Sequence, residues 1–400
     1  MDMIKRFLNY VSFDTMSDEE SNEFPSTKKQ VPLLKLLEKE LKELGLDACY
    51  RNGYTYGKLK SDCGKKDTLF LMAHVDTSPD ASDLNVKPRI VHYDGTDIML
   101  NETKCLNAKE FPNLINHLGH DLIVTDGTTL LGADDKAGIA IIMDTIEKAI
   151  EKKNYPNIIA CFTPDEEIGA GTKYIDVDFI KEGTDKIYAY TLDGDDIKNF
   201  EHENFNAAQA KVYIEGRSIH PSIGKNKLIN AQEVFMFFHS LLPKCRPENS
   251  EKREGFIHLC GSEGQVENLK ASYILRSFDL EELESYKNSF YNARDYINKF
   301  YNKEIVKVEI KDQYRNMAEI INKNPYVVDI MHEVFKDAGI KWNDVPIRGG
   351  TDGATLSYKG IPCPNLGTGG DNFHGVYEYV DIEQMKQMVS LLMSLMAKLK

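Results

Sequence analysis

No apolar run in this 400-residue sequence reaches the ~18 residues that a membrane-spanning helix requires. Basic residues are outnumbered. The 49 Lys and Arg against 63 Asp and Glu leave a net charge of −14, which repels phosphate backbones and anionic lipid and argues against nucleic acid or membrane as a partner. The seven cysteines (Cys49, Cys63, Cys105, Cys161, Cys245, Cys260 and Cys363) are scattered, odd in number and without a CxxC pair. That pattern excludes a disulfide framework and fits a reducing compartment. The opening MDMIKRFLNYVSFDT carries Asp2, Lys5 and Arg6 where a secretory signal needs an uninterrupted apolar core. With 27 glycines and 14 prolines the chain is neither collagenous nor disordered, and it contains no internal repeat or low-complexity segment. A cytoplasmic protein, soluble and free of membrane segments, is expected.

What is present is a globular α/β pattern. Four hundred residues at ~150 per domain give a prior of two or three domains. Between Ser26 and Gly45, Leu34, Leu37, Leu41 and Leu44 recur at helical spacing and glycine follows, which predicts an amphipathic helix with its stop signal. The apolar runs Thr68–Val75 and Asn157–Thr163 read as buried strands, and Ile139, Ile142, Ile146 and Ile150 mark a helical face between them. A further strand over Lys186–Leu192 ends at Asp193. Strands alternating with helices of this length predict an α/β layer with a mainly parallel sheet.

The rhythm changes in the middle. Strand Ala207–Gly216, helix Leu228–Leu242, strands Phe256–Gln265 and Ala271–Asp279, helix Leu280–Tyr301 and strand Glu304–Gln313 follow in turn. This β-α-β-β-α-β order is that of a ferredoxin-like α+β unit. After Met317 the α/β rhythm resumes, closing on a helix with Met388, Leu391, Leu392, Leu395 and Met396. The expected organisation is a discontinuous domain over 1–205 and 318–400 with a smaller domain inserted over 206–317.

Polar residues cluster where the strands end. His74 and Asp76 are two residues apart at a strand end, so both side chains point to one face; a carboxylate so placed can hold the second nitrogen of a ligating histidine. Taken alone, the pair is better explained as a polar loop leaving a buried strand. Asp134 and Asp135 in LLGADDKAG precede a helix, where carboxylates either cap the helix or present a metal-bridging group. Asp165, Glu166 and Glu167 in TPDEEIGAG follow the second buried strand. They form either a solvated acidic turn or, beyond the carboxyl end of a strand, part of a ligand site. Asp193 in TLDGDD also ends a strand, and His374 lies in the loop TGGDNFHG. Together, His74, Asp134, Glu167, Asp193 and His374 supply three ligands to each of two divalent ions if one carboxylate bridges, a nitrogen–oxygen set that suits zinc.

The motifs AHVDT, GADDKAG, TPDEEIG, SIHPS, PIRGGTDGA and TGGDNFHG, in this order and over nearly the whole chain, resemble those of the tripeptide aminopeptidases among the M20 dinuclear zinc peptidases. The resemblance implies a zinc-binding catalytic domain carrying an inserted lid domain that binds substrate. It implies Zn2+, two per subunit, with His74 and Asp193 on one ion, Glu167 and His374 on the other, and Asp134 between them. The Asp134–Asp135 peptide is expected to be cis. Asp76 would orient His74, Glu166 would act as general base, His220 would reach the substrate carbonyl, and Arg276 would bind the substrate carboxylate. Arg348 is a further candidate for substrate contact. The sequence departs from the family pattern at Ser222 (commonly glycine), Ser277 (commonly acidic) and Asp371 (commonly aromatic), none of them a ligand. The expected partners are small peptide substrates, with the subunit a monomer or homodimer. The alternatives are another M20 activity (dipeptidase, carboxypeptidase or N-acyl-amino-acid deacylase) or a non-catalytic peptide-binding protein.

Overall fold

The computed structural model describes residues 2–64 and 66–399. The chain forms two compact units. One comprises residues up to His202 together with Met317–Val345 and the segment from Thr351 onward; the other comprises Glu203–Asn316 and Pro346–Gly350.

The first unit is organised by an eight-stranded mixed sheet. Its order is Asp47–Arg51, Tyr54–Leu59, Asn157–Thr163, Thr68–His74, Ile187–Gly194, Asn365–Gly367, Asn199–Glu201 and Asn343–Asp344. The four strands from Asn157–Thr163 to Asn365–Gly367 are mutually parallel. Their apolar runs are continuous rather than alternating because both faces are covered: every residue of Thr68–His74 is buried. One edge is the antiparallel hairpin Asp47–Leu59. Its segment DACYR–NG–YTYGKL shows no clean apolar alternation, which is why only the helix before it was predicted. That helix runs over Gln30–Glu43 and buries Leu33, Leu34, Leu37 and Leu41. Ser26, ahead of the helix, donates its N–H and hydroxyl to the Asp165 carboxylate.

The helix Ala133–Lys152 packs against the strand Thr68–His74 and the closing helix Ile382–Lys398. Its Ile139, Ile142 and Ile146 are wholly buried, each side chain contributing about 1.5–3 kcal/mol of transfer free energy. A smaller antiparallel sheet, absent from the sequence-based expectation, joins Gly370–Asp371, Tyr379–Asp381, Asp121–Val124 and Arg89–His92. Among the described residues no helix is long and apolar enough to cross a membrane. All seven cysteines are free thiols.

In the second unit four antiparallel strands lie in the order Phe256–Gly264, Asn268–Ser277, Asn206–Glu215 and Val306–Tyr314. With helices Ala231–Leu241 and Leu280–Tyr301 this is a split β-α-β arrangement. Val234, Phe238, Leu283, Phe290 and Ile297 of the helices pack on Ala208, Val212, Tyr273 and Leu275 of the sheet. The unit also takes in Pro346–Gly350, outside the 206–317 span expected from sequence. Ile347 pairs with Asn204, a link between distant segments that no local pattern announces.

Candidate active site

His74, Glu166, Glu167 and Asp193 stand at or just beyond the carboxyl ends of the parallel strands, where open α/β sheets generally bind ligands. His74 is the last residue of its strand and is 2% exposed. Its Nδ1 lies 3.0 Å from the Asp76 carbonyl oxygen and 3.3 Å from the Asp76 carboxylate. Donation from Nδ1–H leaves the Nε2 lone pair free to ligate. That Nε2 is 2.8 Å from Asp134 Oδ1 and 3.4 Å from Asp193 Oδ1. On the other side of Asp134, Oδ2 lies 3.2 Å from His374 Nε2, which is itself 3.0 Å from Glu167 Oε2. Asp134 therefore presents one oxygen to each imidazole.

Asp76 does more than orient His74. Its two carboxylate oxygens accept the backbone N–H groups of Glu166 and Glu167 at 3.0 and 3.2 Å, so one buried side chain sets both the histidine and the acidic turn. Asp135 accepts the His74 N–H at 3.1 Å and the Gly138 N–H at 3.1 Å. The Asp134–Asp135 peptide is cis. Asp134 and Asp135 have non-helical dihedrals, so they are presented by a turn and the regular helix follows them.

The arrangement is rich in carboxylate and short of cation. Burial, followed by the field of Asp193, pushes the Glu166 carboxyl well above its usual range. Burial and then Asp134 raise Glu167 to about 8, and burial, with Asp134 adding, raises Asp193 to about 6. Burial opposes ionisation of Asp134 too, yet His374 and His74 hold it below the ordinary range. His374 is lifted to about 11 by Asp134 and Glu167. Glu167 Oε1 is buried without a hydrogen-bond partner. Buried carboxylates in this number need compensating positive charge. The oxygen and imidazole donors, with an orphaned carboxylate oxygen among them, fit divalent cations.

Three contributors escaped the sequence reading. Glu378 is buried and its carboxylate accepts the N–H groups of Leu131 (2.6 Å), Gly132 (2.9 Å) and Asp134 (3.0 Å), clamping the turn that presents Asp134. Nothing in VYEYV distinguishes it from an exposed strand carboxylate. Asp80 Oδ2 lies 3.4 Å from His374 Nδ1, and Asp352 accepts a hydrogen bond from Thr163 Oγ1 at 2.8 Å.

Gly138 explains the glycine of GADDKAG. A Cβ there would lie 2.0 Å from the Leu192 carbonyl oxygen and 2.4 Å from Asp135 Oδ1, neither free to move. Gly138→Ala is expected to lower stability by at least the ~1–3 kcal/mol typical of overpacking. Urea unfolding measures this, and an unchanged midpoint would contradict the close approach.

The remaining candidates belong to the second unit. His220 is exposed, with Nδ1 2.8 Å from Ser222 Oγ, so the residue that departs from the family's glycine holds the ring. Arg276 donates through Nη1 to the carbonyls of Leu275 (3.0 Å) and Ala208 (3.3 Å) and lies over the Tyr314 ring. Asp279 is not its partner, since that side chain caps the helix Leu280–Tyr301. Arg348 donates to the carbonyls of Lys252 and Glu254 and to Ser250 Oγ, which ties it to its own unit. Asp371, in the first unit, accepts hydrogen bonds from Asn113 and the Tyr379 hydroxyl.

Residues 125–398 match the model of Peptidase family M20/M25/M40. A curated relative, Peptidase T of Clostridium botulinum (strain Loch Maree / Type A3), is 47% identical over 406 residues, covering 98% of each chain. Among solved structures, aminopeptidase PepT from Bacillus cereus ATCC 10987 superposes with a TM-score of 0.78 at 21% identity, over 99% of this chain and 98% of that one. A dinuclear metal-binding peptidase of the M20 family from Bacillus subtilis gives 0.66 at 12% identity, over 98% and 96%. At those identities the structural likenesses speak to the fold alone, but the family match spans the acidic turn and His374, and the clostridial relative covers 98% of this chain. The chain belongs to the M20/M25/M40 family of peptidases.

Proposed function

We propose that this protein is a cytoplasmic metallo-aminopeptidase that releases the N-terminal residue from tripeptides, with two zinc ions bound at the strand ends. The observation that carries the reading is Asp134, whose two oxygens approach the Nε2 atoms of two different histidines at 2.8 and 3.2 Å. His74 and Asp193 would hold one ion and Glu167 and His374 the other, with Asp134 common to both. Bound zinc would polarise the scissile carbonyl and make a water acidic enough to attack near neutral pH. Glu166 takes the proton of that water and delivers it to the leaving amine. Asp76 keeps His74 in its ligating tautomer, and Glu378 keeps Asp134 in place. His220 donates to the developing oxyanion, and Arg276 binds the substrate carboxylate. Arg348, whose guanidinium is anchored on Lys252, Glu254 and Ser250, is a further candidate for substrate contact. The name and 47% identity of the clostridial relative support the substrate class, and seven free thiols support the compartment.

Elemental analysis tests the dinuclear part. Asp134→Ala is expected to contain two zinc ions per chain fewer than the wild type after identical reconstitution, because the bridging carboxylate serves both positions. A deficit of zero or one would overturn the dinuclear assignment.

A further inference from the structure

A second constellation of ligand-type side chains lies in the first unit and shares no residue with the site above. His202 follows the strand Asn199–Glu201, Asp344 lies on the edge strand Asn343–Asp344, and His332 projects from the helix Tyr326–Asp337. The parallel register pairs Phe200 with Asp344 and brings the first two together. Asp344 Oδ1 is 3.2 Å from His202 Nε2 and 2.8 Å from His332 Nε2. One ligand atom from each of the three residues lies within 4.8 Å of the other two.

We propose that His202, His332 and Asp344 bind a single divalent cation of the zinc class, separate from the catalytic pair. Two imidazole nitrogens and one carboxylate oxygen leave a fourth position for water, an ordinary tetrahedral set. At metal–ligand distances of about 2.0–2.1 Å, tetrahedral ligand atoms sit about 3.3 Å apart. The observed 3.2 and 2.8 Å need only small side-chain adjustments to match.

Hydrogen bonding alone leaves the cluster unsatisfied. His332 Nε2 bonds Asp344 Oδ1, but the buried Nε2 of His202 has no hydrogen-bond partner although the same oxygen is 3.2 Å away. A cation between the three atoms would satisfy both nitrogens and the carboxylate together. The cluster of His117, His120 and Asp381 differs: both rings reach Asp381 Oδ2 at 2.6 Å while Oδ1 caps the closing helix, so its bonds are closed.

The walls of the proposed site are aromatic. Trp342 stacks on His332 at 4.8 Å between ring centroids, and buried Phe200 meets the same ring edge-on at 5.6 Å. Such packing holds a ligand ring in one orientation. It also supplies a reporter, since Trp342 is the only tryptophan in the sequence.

Titration with Ni2+ of the full chain loaded with two zinc equivalents, which fill the catalytic pair and leave the proposed site vacant, followed by Trp342 fluorescence, tests the proposal. Paramagnetic nickel beside His332 should quench the emission saturably with one ion per chain. Loss of an outer-shell partner costs a metal site about 10–100-fold in affinity, so removing a direct ligand should shift half-saturation by more than about tenfold. His202→Gln and Asp344→Asn, which leave the stacked rings alone, should each show that shift and, after reconstitution with excess zinc, contain one zinc fewer than the wild type. Asp134→Ala, titrated without added zinc, should retain the quench while losing the catalytic ions. Unsaturable quenching in the wild type, an unshifted curve and equal zinc in both variants, or loss of the signal in Asp134→Ala would overturn the proposal. Those results would leave the dinuclear reading to its own count.

Discussion

Glu166→Gln is expected to keep its fold and its zinc and to lose about 10²–10⁴ or more of kcat, with KM little changed. Glutamine preserves the size of the side chain but cannot accept a proton, and the loss of a general base typically costs that much. The site is set up for this isolation of roles. Glu166 is positioned by its backbone N–H on Asp76 Oδ1 at 3.0 Å, a contact that the side-chain substitution does not touch. Its carboxylate lies close to His74 and Asp193, where a proton from an attacking water has somewhere to go. Stopped-time assays on a tripeptide, with zinc measured on the same preparation, decide the matter. A variant that kept more than about a tenth of kcat would exclude Glu166 as the base. One that lost zinc in step with activity would move it among the ligands.

The second large effect is on substrate length. Tripeptides should be cleaved well, dipeptides and long peptides poorly, and N-acetylated tripeptides hardly at all. Arg276 spends Nη1 on the carbonyls of Leu275 and Ala208, while its Nη2 and Nε make no hydrogen bond among the described residues. Those donors remain available to a carboxylate, for which guanidinium is suited by its paired N–H groups. On the proposed function, a peptide whose scissile carbonyl is held at the metals and whose C-terminal carboxylate is bound by Arg276 would be selected by its length. Hydrogen bonds to charged groups contribute about 1.5–3 kcal/mol, so Arg276→Ala and C-terminal amidation should each lower kcat/KM for a tripeptide by about 10–100-fold. Combined, they should cost little more than either alone, because both remove one interaction. If neither change matters, or acetylated peptides are cleaved as fast as free ones, the tripeptide reading gives way to a deacylase or carboxypeptidase of the same family.

Much of the site was legible because its residues are local to short, strongly patterned segments. His74 and Asp76 alternate along one strand end, and Glu166 and Glu167 follow an apolar run whose short length and β-branched and aromatic residues mark a buried strand. The β-α-β-β-α-β order of the second unit is likewise written in the spacing of its apolar residues. Period-two and period-3.6 patterns are properties of neighbours in the chain, so sequence by itself determined the long buried strands, the main helices and the polar residues that stand at their ends, though not the short strands of the hairpin and the smaller sheet. Tertiary structure decided the rest. Glu378 reads as an ordinary strand carboxylate until folding buries it against the N–H groups of Leu131, Gly132 and Asp134. Pro346–Gly350 joins the second unit through pairing with Asn204, far away in sequence. His202, His332 and Asp344 come from a strand end, a helix and an edge strand whose proximity depends on sheet order, a relation between distant segments that carries no local periodicity.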